Sequence, residues 1–156
     1  MRTAATRSEP TSVSSSRLYY QSEYCSGVRT CANYATVYVG AELGPADRGL
    51  GLDWATDAGD ATDEFEFSVS AADPQDAYLG LQAFDVAEYG HEIEVNGVSL
   101  SGFDVPPAEG WQYWVDTITN VELCEGTNTL RIRRDTSTRD SFAVGTVTIH
   151  WKEPLD

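Results

Sequence analysis

The sequence predicts an all-β protein, a two-sheet antiparallel β-sandwich, on three observations. Apolar and polar residues alternate with a period of two along several short runs, most cleanly in EFEFSVSA at 64–71, the pattern of a strand with one dry face and one wet face. HEIEVNGVSL at 91–100 sets Asn96-Gly97 between two such runs, and Asn-Gly supplies the two positive-φ residues of a tight hairpin turn. No stretch holds helical spacing for a useful length, while clusters of Gly, Pro, Asp and Ser punctuate the chain at short intervals.

Taken in order, residues 1–30 differ in kind from the rest: four Arg against two acids, seven Ser and almost no apolar period. They read as a disordered or over-called N-terminal extension, with a native start near Val28, and residues 31–156 as the sandwich domain. Strand one is NYATVYVGAEL, with Ala35, Val37, Val39 and Ala41 on one face. Residues 44–63 read as one long loop whose apolar anchors are Leu50, Leu52 and Trp54. In strand two Phe65, Phe67, Val69 and Ala71 face inward. Strand three, Ala77–Val86, is apolar on both faces, which fits a central strand. The Asn96-Gly97 hairpin supplies strands four and five, and paired Pro106 and Pro107 interrupt the chain after it. WQYWVDTIT is strand six, LRIRR strand seven and SFAVGTVTIHWK strand eight. In strand eight the inward set shifts phase, from Phe142 and Val144 to Val147, Ile149 and Trp151, so a β-bulge is expected at Gly145. Jelly-roll strand order is favoured over an immunoglobulin-like order, although periodicity does not separate the two.

Charge narrows the function. With 25 acids, nine Arg and Lys152 as the sole lysine, the chain carries a net charge of −15. A carboxylate surface nearly free of lysine is expected of a protein from a salt-filled halophilic cell, where a Debye length of about 3 Å at 1 M salt screens its self-repulsion. Stability should therefore fall in dilute buffer. Nucleic acid is disfavoured, because phosphate binding needs a basic stripe. No apolar run is long enough for a membrane span and no secretory h-region follows the N-terminal arginines, so a cytoplasmic location is expected. Cys25, Cys31 and Cys124 stand at no metal-binding spacing; small buried hydrophobes with a free thiol are expected before a zinc site, and one disulfide stays open.

The run VNGVSLSGFDVPPAEGWQYWVDTITNVELCEGTNTLRIRRD, with SFAVGTVTIHWKE behind it, resembles a small haloarchaeal domain family of unknown function over about Ala32 to Glu153. On Val95 to Gly97, Leu123, Gly126, Asn128, Leu130 and Ile132 it also resembles the galactose-binding-like jelly rolls that accompany glycosidase catalytic domains. That second likeness implies the fold and makes a carbohydrate ligand thinkable. The residues that carry it have structural work of their own, since they turn one strand into the next.

No GxSxG, HExxH or phosphate-cradling glycine loop is present, so no catalytic residue, cofactor or metal is assigned and a non-enzyme is expected. His91 and His150 read as satisfied strand histidines. Asp57, Asp60 and Asp63 share a loop but lack EF-hand spacing. For a sugar the candidates are the flat rings of Trp54, Trp111, Tyr113 and Trp114, with Asp104, Glu109, Arg133, Arg134 and Asp135 as polar neighbours. Only part of that aromatic set can be free, because one face of strand six must fill the core. The expected function is a non-catalytic ligand- or partner-binding module. The alternative is a protein-interaction or accessory subunit domain with no small-molecule ligand, and the oligomeric state is left open.

Overall fold

Strands begin where the alternation begins. In the computed structural model residues 29–100 and 105–155 are described. The predicted extension up to residue 28, with its proposed start, and Cys25 lie outside the described residues. The strands are β1 (Thr30–Leu43), β2 (Thr56–Gly59), β3 (Phe65–Val69), β4 (Gln75–Val86), β5 (Glu92–Val95), β6 (Val98–Ser99), β7 (Ala108–Thr117), β8 (Gly126–Arg133) and β9 (Phe142–Pro154). Among the described residues there is no helix long and apolar enough to cross a membrane.

Two sheets form, in the orders β2-β1-β9-β4-β7 and β3-β8-β5-β6. With β2 set aside and the other strands counted in chain order, the sheets read first-eighth-third-sixth and second-seventh-fourth-fifth. That is jelly-roll order, and the immunoglobulin arrangement, with its different pairing of strands, is excluded. Between the sheets lie Leu79, Leu81, Val147, Ile149 and Trp151 from one side and Phe67, Val69, Ile93, Val95, Leu130 and Ile132 from the other, all buried. Full burial of one such side chain stabilises the fold by roughly 1.5–3 kcal/mol.

The stretch expected to be a single long loop contains β2, which pairs in parallel with β1 from Ala41↔Thr56 to Leu43↔Gly59. Its sequence, TDAG, carries no strand signal of its own; β1 offers an open edge there, and backbone pairing does the rest. The remainder of the loop is tied down: Ser141 Oγ donates to the Arg48 carbonyl at 2.6 Å, Arg48 to the Arg139 carbonyl at 3.1 Å, and Tyr38 Oη to the Trp54 carbonyl at 3.2 Å. The bulge expected in the last strand is present. Leu81 faces Val147 and Ala83 faces Val144, so β9 spends two residues where β4 spends one. A second bulge lies in β1, where Val39 and Gly40 stand opposite one residue of β9 and Gly40 takes φ +54°, a conformation glycine adopts without penalty.

Asn96 and Gly97 have φ of 51° and 76°, as a type I′ turn requires. The turn is also fastened from outside. Asn96 Oδ1 accepts from the Thr129 amide at 2.9 Å, and its Nδ2 donates to Asn128 Oδ1 at 2.9 Å. Asn128, wholly buried, bonds both the amide and the carbonyl of Cys124 at 2.8 Å. The VNG and GTN segments thus form one hydrogen-bonded latch joining β5 to β8. Cys31 is disulfide-bonded, the possibility the sequence left open, and Cys124 is a free, exposed thiol.

Candidate functional site

The outward face of the five-stranded sheet is built from the wet positions of four strands, and most of them are aromatic or hydroxylic. Strand pairing sets these side chains in rows. Tyr34 faces His150, His150 faces Tyr78 and Tyr78 faces Thr117; two residues along, Thr36 faces Thr148, then Gly80 and Val115. Tyr38 lies opposite Thr146, Gln82 opposite Tyr113, and Phe84 opposite Trp111. The alternation that buries Leu79, Leu81 and Ala83 turns Tyr78, Gln82 and Phe84 outward.

The rings gather into two groups. At one end Trp111 packs on Phe84 with centroids 5.2 Å apart, and Trp54 reaches over from its loop to lie 5.1 Å from Trp111. At the other end Tyr78 stacks on His150 at 4.4 Å and within 5° of parallel, with Tyr34 at 5.9 Å on the far side of the imidazole. Between the groups the Tyr113 ring lies down over Gly80: a Cβ placed on Gly80 would collide with the Tyr113 hydroxyl oxygen. These rings remain open to solvent, with Trp111 54 % exposed and Tyr38 and Tyr113 each 58 %.

None of these positions carries a formal charge. Burial between the two tyrosines pushes the His150 imidazole below its ordinary range, which favours the neutral ring. Among the described residues charges return at the margins, as the Lys152–Asp76 pair at 2.9 Å beside Tyr78 and as Glu42 and Glu109 near the opposite end. Gln82 Oε1 accepts from the Thr146 amide at 3.1 Å, which fixes the side chain against the sheet.

A concave place lies beyond the tryptophan end, a cleft of ≈ 600 Å³ between Arg48, Asp85, Glu88 and Arg139. Its polar groups serve the fold. Arg139 pairs with Asp47 at 2.6 Å, and that hydrogen bond holds the Asp47 carboxyl below its usual range. Asp140 Oδ2 accepts from the Ala87 and Glu88 amides and, at 2.7 Å, from His91 Nε2. His91 Nδ1 accepts from the Asp135 amide at 3.0 Å, and the ring stacks on Phe142. Both His91 nitrogens are therefore engaged within the protein. His150 lies eight residues along β9 from Phe142, roughly 26 Å of strand, so the two histidines do not meet. Among the described residues no three His, Cys, Asp or Glu side chains converge as a metal site would need.

Of the candidates from the sequence, Trp54, Trp111 and Tyr113 come together on the aromatic face. Trp114 turns the other way and packs half-buried against the core, where its Nε1 has no hydrogen-bond partner among the described residues. Glu109 lines the rim past the β7 start. Arg133, Arg134 and Asp135 belong to the other sheet and the turn after it: Arg133 pairs with Glu94 at 3.3 Å, Arg134 with Asp60 at 2.7 Å, and the Asp135 carboxylate caps Ser137. The Ser137 hydroxyl and amide hold that carboxyl below its ordinary value. Asp104 lies outside the described residues. Tyr38, Tyr78, Phe84, Gln82 and His150 stand on the same face and were not among those candidates; the doubly apolar strand three was the signal that could have found Tyr78 and Phe84.

What this architecture defines is a jelly-roll β-sandwich with one open, aromatic sheet face. The chain belongs to the family of unknown function DUF7383, which it matches over residues 31–153. No curated protein sequence matches it. Among solved structures it is similar to the GH26-CBM35 β-(1,4)-mannanase of Podospora anserina, at 12 % identity and a TM-score of 0.48. That alignment covers 79 % of this chain and 28 % of the mannanase, so the chain spans little more than a quarter of that protein's length.

Proposed function

We propose that this protein is a non-catalytic binding module whose ligand is an uncharged carbohydrate, held on the outer face of the five-stranded sheet. The observation that carries the reading is the field between Tyr34 and Trp111, aromatic and free of formal charge, in a chain of net charge −15. Contiguous exposed apolar patches are uncommon on a soluble protein and mark surfaces that meet something. Ring faces carry negative quadrupole density and attract the weakly positive C–H faces of a sugar ring. Thr36, Thr148, Gln82 and the tyrosine hydroxyls supply the short-range donors and acceptors that sugar hydroxyls need. An anionic ligand would be repelled by the surrounding carboxylates, and a cationic one would find its partners at the rim instead. The acid-rich remainder fits a surface adapted to concentrated salt, in which contacts of this neutral kind persist while charge pairing is screened.

The test is a thermal-shift screen of neutral and acidic glycans in molar KCl. A neutral glycan should raise the melting temperature of the wild type and leave Trp111→Ala unmoved. A response confined to acidic glycans overturns the reading, as does a response that survives Trp111→Ala. So does silence from every glycan, and in that case one stoichiometric protein partner on co-purification would establish the interaction-domain alternative.

A further inference from the structure

We infer that the ligand is a linear chain lying along β4, bound at both aromatic groups at once, rather than a single sugar or a chain end. The inference rests on the reading of this face as a glycan-binding surface. Tyr78 and Phe84 are six residues apart on one strand, which separates the Tyr78–His150 stack from the Trp111–Trp54 pair by about 20 Å. A single sugar ring touches one group only. The ground between the two is level and passable: Gly80 has no side chain, and its neighbours across the sheet are Thr148 and Val115. Tyr113 lies flat there rather than standing up as a wall. Neither group is enclosed, since Trp111, Tyr113 and Tyr78 are all exposed, and a chain could continue past both ends. A site that captured a terminal sugar would need a closed end, and the field offers none between the two groups.

Each group alone holds a ring weakly; joined by one ligand, the second contact becomes intramolecular and affinity climbs with chain length. The experiment is calorimetric titration in molar KCl with cello-, malto- and xylo-oligosaccharides from one to six units, against wild type, Trp111→Ala, Tyr78→Ala and Tyr78→Phe. The expected result is a gain of about tenfold or more between the short and the six-unit members of whichever series binds. Tyr78→Ala should erase that gain, so that the six-unit member binds no more tightly than the short ones do to the same variant, and Tyr78→Phe should retain it. Melting curves of each variant establish that it is folded. Affinity independent of length overturns the inference but leaves the carbohydrate reading standing, and so does a Tyr78→Ala variant that keeps the full gain. If none of the oligosaccharides binds, this inference falls, and the glycan screen above decides separately whether the carbohydrate reading falls with it.

Discussion

The two sheets of this sandwich share one core and present opposite outer faces. On the four-stranded sheet the outward positions are Glu66 and Ser68 beside β8, then Arg131 and Arg133 facing Glu94 and Glu92 in register. On the five-stranded sheet the equivalent positions are Tyr34, Tyr38, Tyr78, Tyr113, Trp111 and His150. The inner faces are interchangeable in character, Val, Leu, Ile and Phe on both sides. Folding therefore demands little of either outer face, and the contrast between them fits the proposed division of labour: water and ions on one side, a ligand on the other.

The largest effect should come from a substitution that abolishes the contrast. Trp151, 1 % exposed, sits under the aromatic field and donates from Nε1 to Glu153 at 3.1 Å; Trp151→Ala should cost about 3–5 kcal/mol and remove ligand response and cooperative melting together, read in one denaturation series. Next, Trp111→Ala and Arg131→Ala form a matched pair. The first should weaken glycan binding about tenfold or more with a modest loss of stability, while the second leaves binding unchanged. Equal losses of binding in the two would erase the distinction between the faces.

A pH series sharpens it further. The folded-state pKa of His150 is depressed by burial from 6.5, so the unfolded chain takes up the proton first. Stability is full above pH 6.5 and falls as the pH drops through that value toward the folded pKa. For Glu153 burial acts to raise the pKa, yet hydrogen bonds from Ser70, Trp151 and Asn33 outweigh it and hold the carboxyl below 4.5. Its contribution is complete above pH 4.5 and is lost as the pH falls through the folded value. Melting temperatures of wild type and His150→Phe should thus diverge in slope just below pH 6.5 and run parallel across the lower transition. The smallest effect belongs to the charged face: Glu94→Gln breaks the exposed pair with Arg133 and should change stability by no more than about 1 kcal/mol, less still in molar KCl.

Much of the fold was legible because burial on one side forces a period of two. EFEFSVSA, HEIEVNGVSL and the phase change at Gly145 each correspond to an element or bulge in the structure. The parallel strand β2 was not legible, since TDAG joins the sheet through the open edge of β1 and not through its own side chains. The bulge at Gly40 was hidden too, because Val37, Val39, Ala41 and Leu43 stay buried in one unbroken alternation across it. The candidate site was half legible. Trp54, Trp111 and Tyr113 were named from ring chemistry, but alternation cannot say which of two apolar faces looks outward, and so Trp114 was grouped with them while Tyr78 and His150 were passed over. Arg133, Arg134 and Asp135 were misplaced for a related reason: strand order decides which sheet a strand joins, and no local pattern encodes it.

The pairing of β1 with β9 runs from Thr30↔Pro154 to Leu43↔Phe142, so the outermost residues of this domain leave the sheet side by side. Force applied between them would load the backbone hydrogen bonds one pair at a time, like a zipper, instead of shearing the whole row at once. A module that gripped a polymer by its aromatic face and was tethered through both ends would yield at the tether first, opening from Thr30 and Pro154 inward. The rows nearest the release point are those of Tyr34 and His150, so tension would dismantle that ring group while the Trp111 end still held.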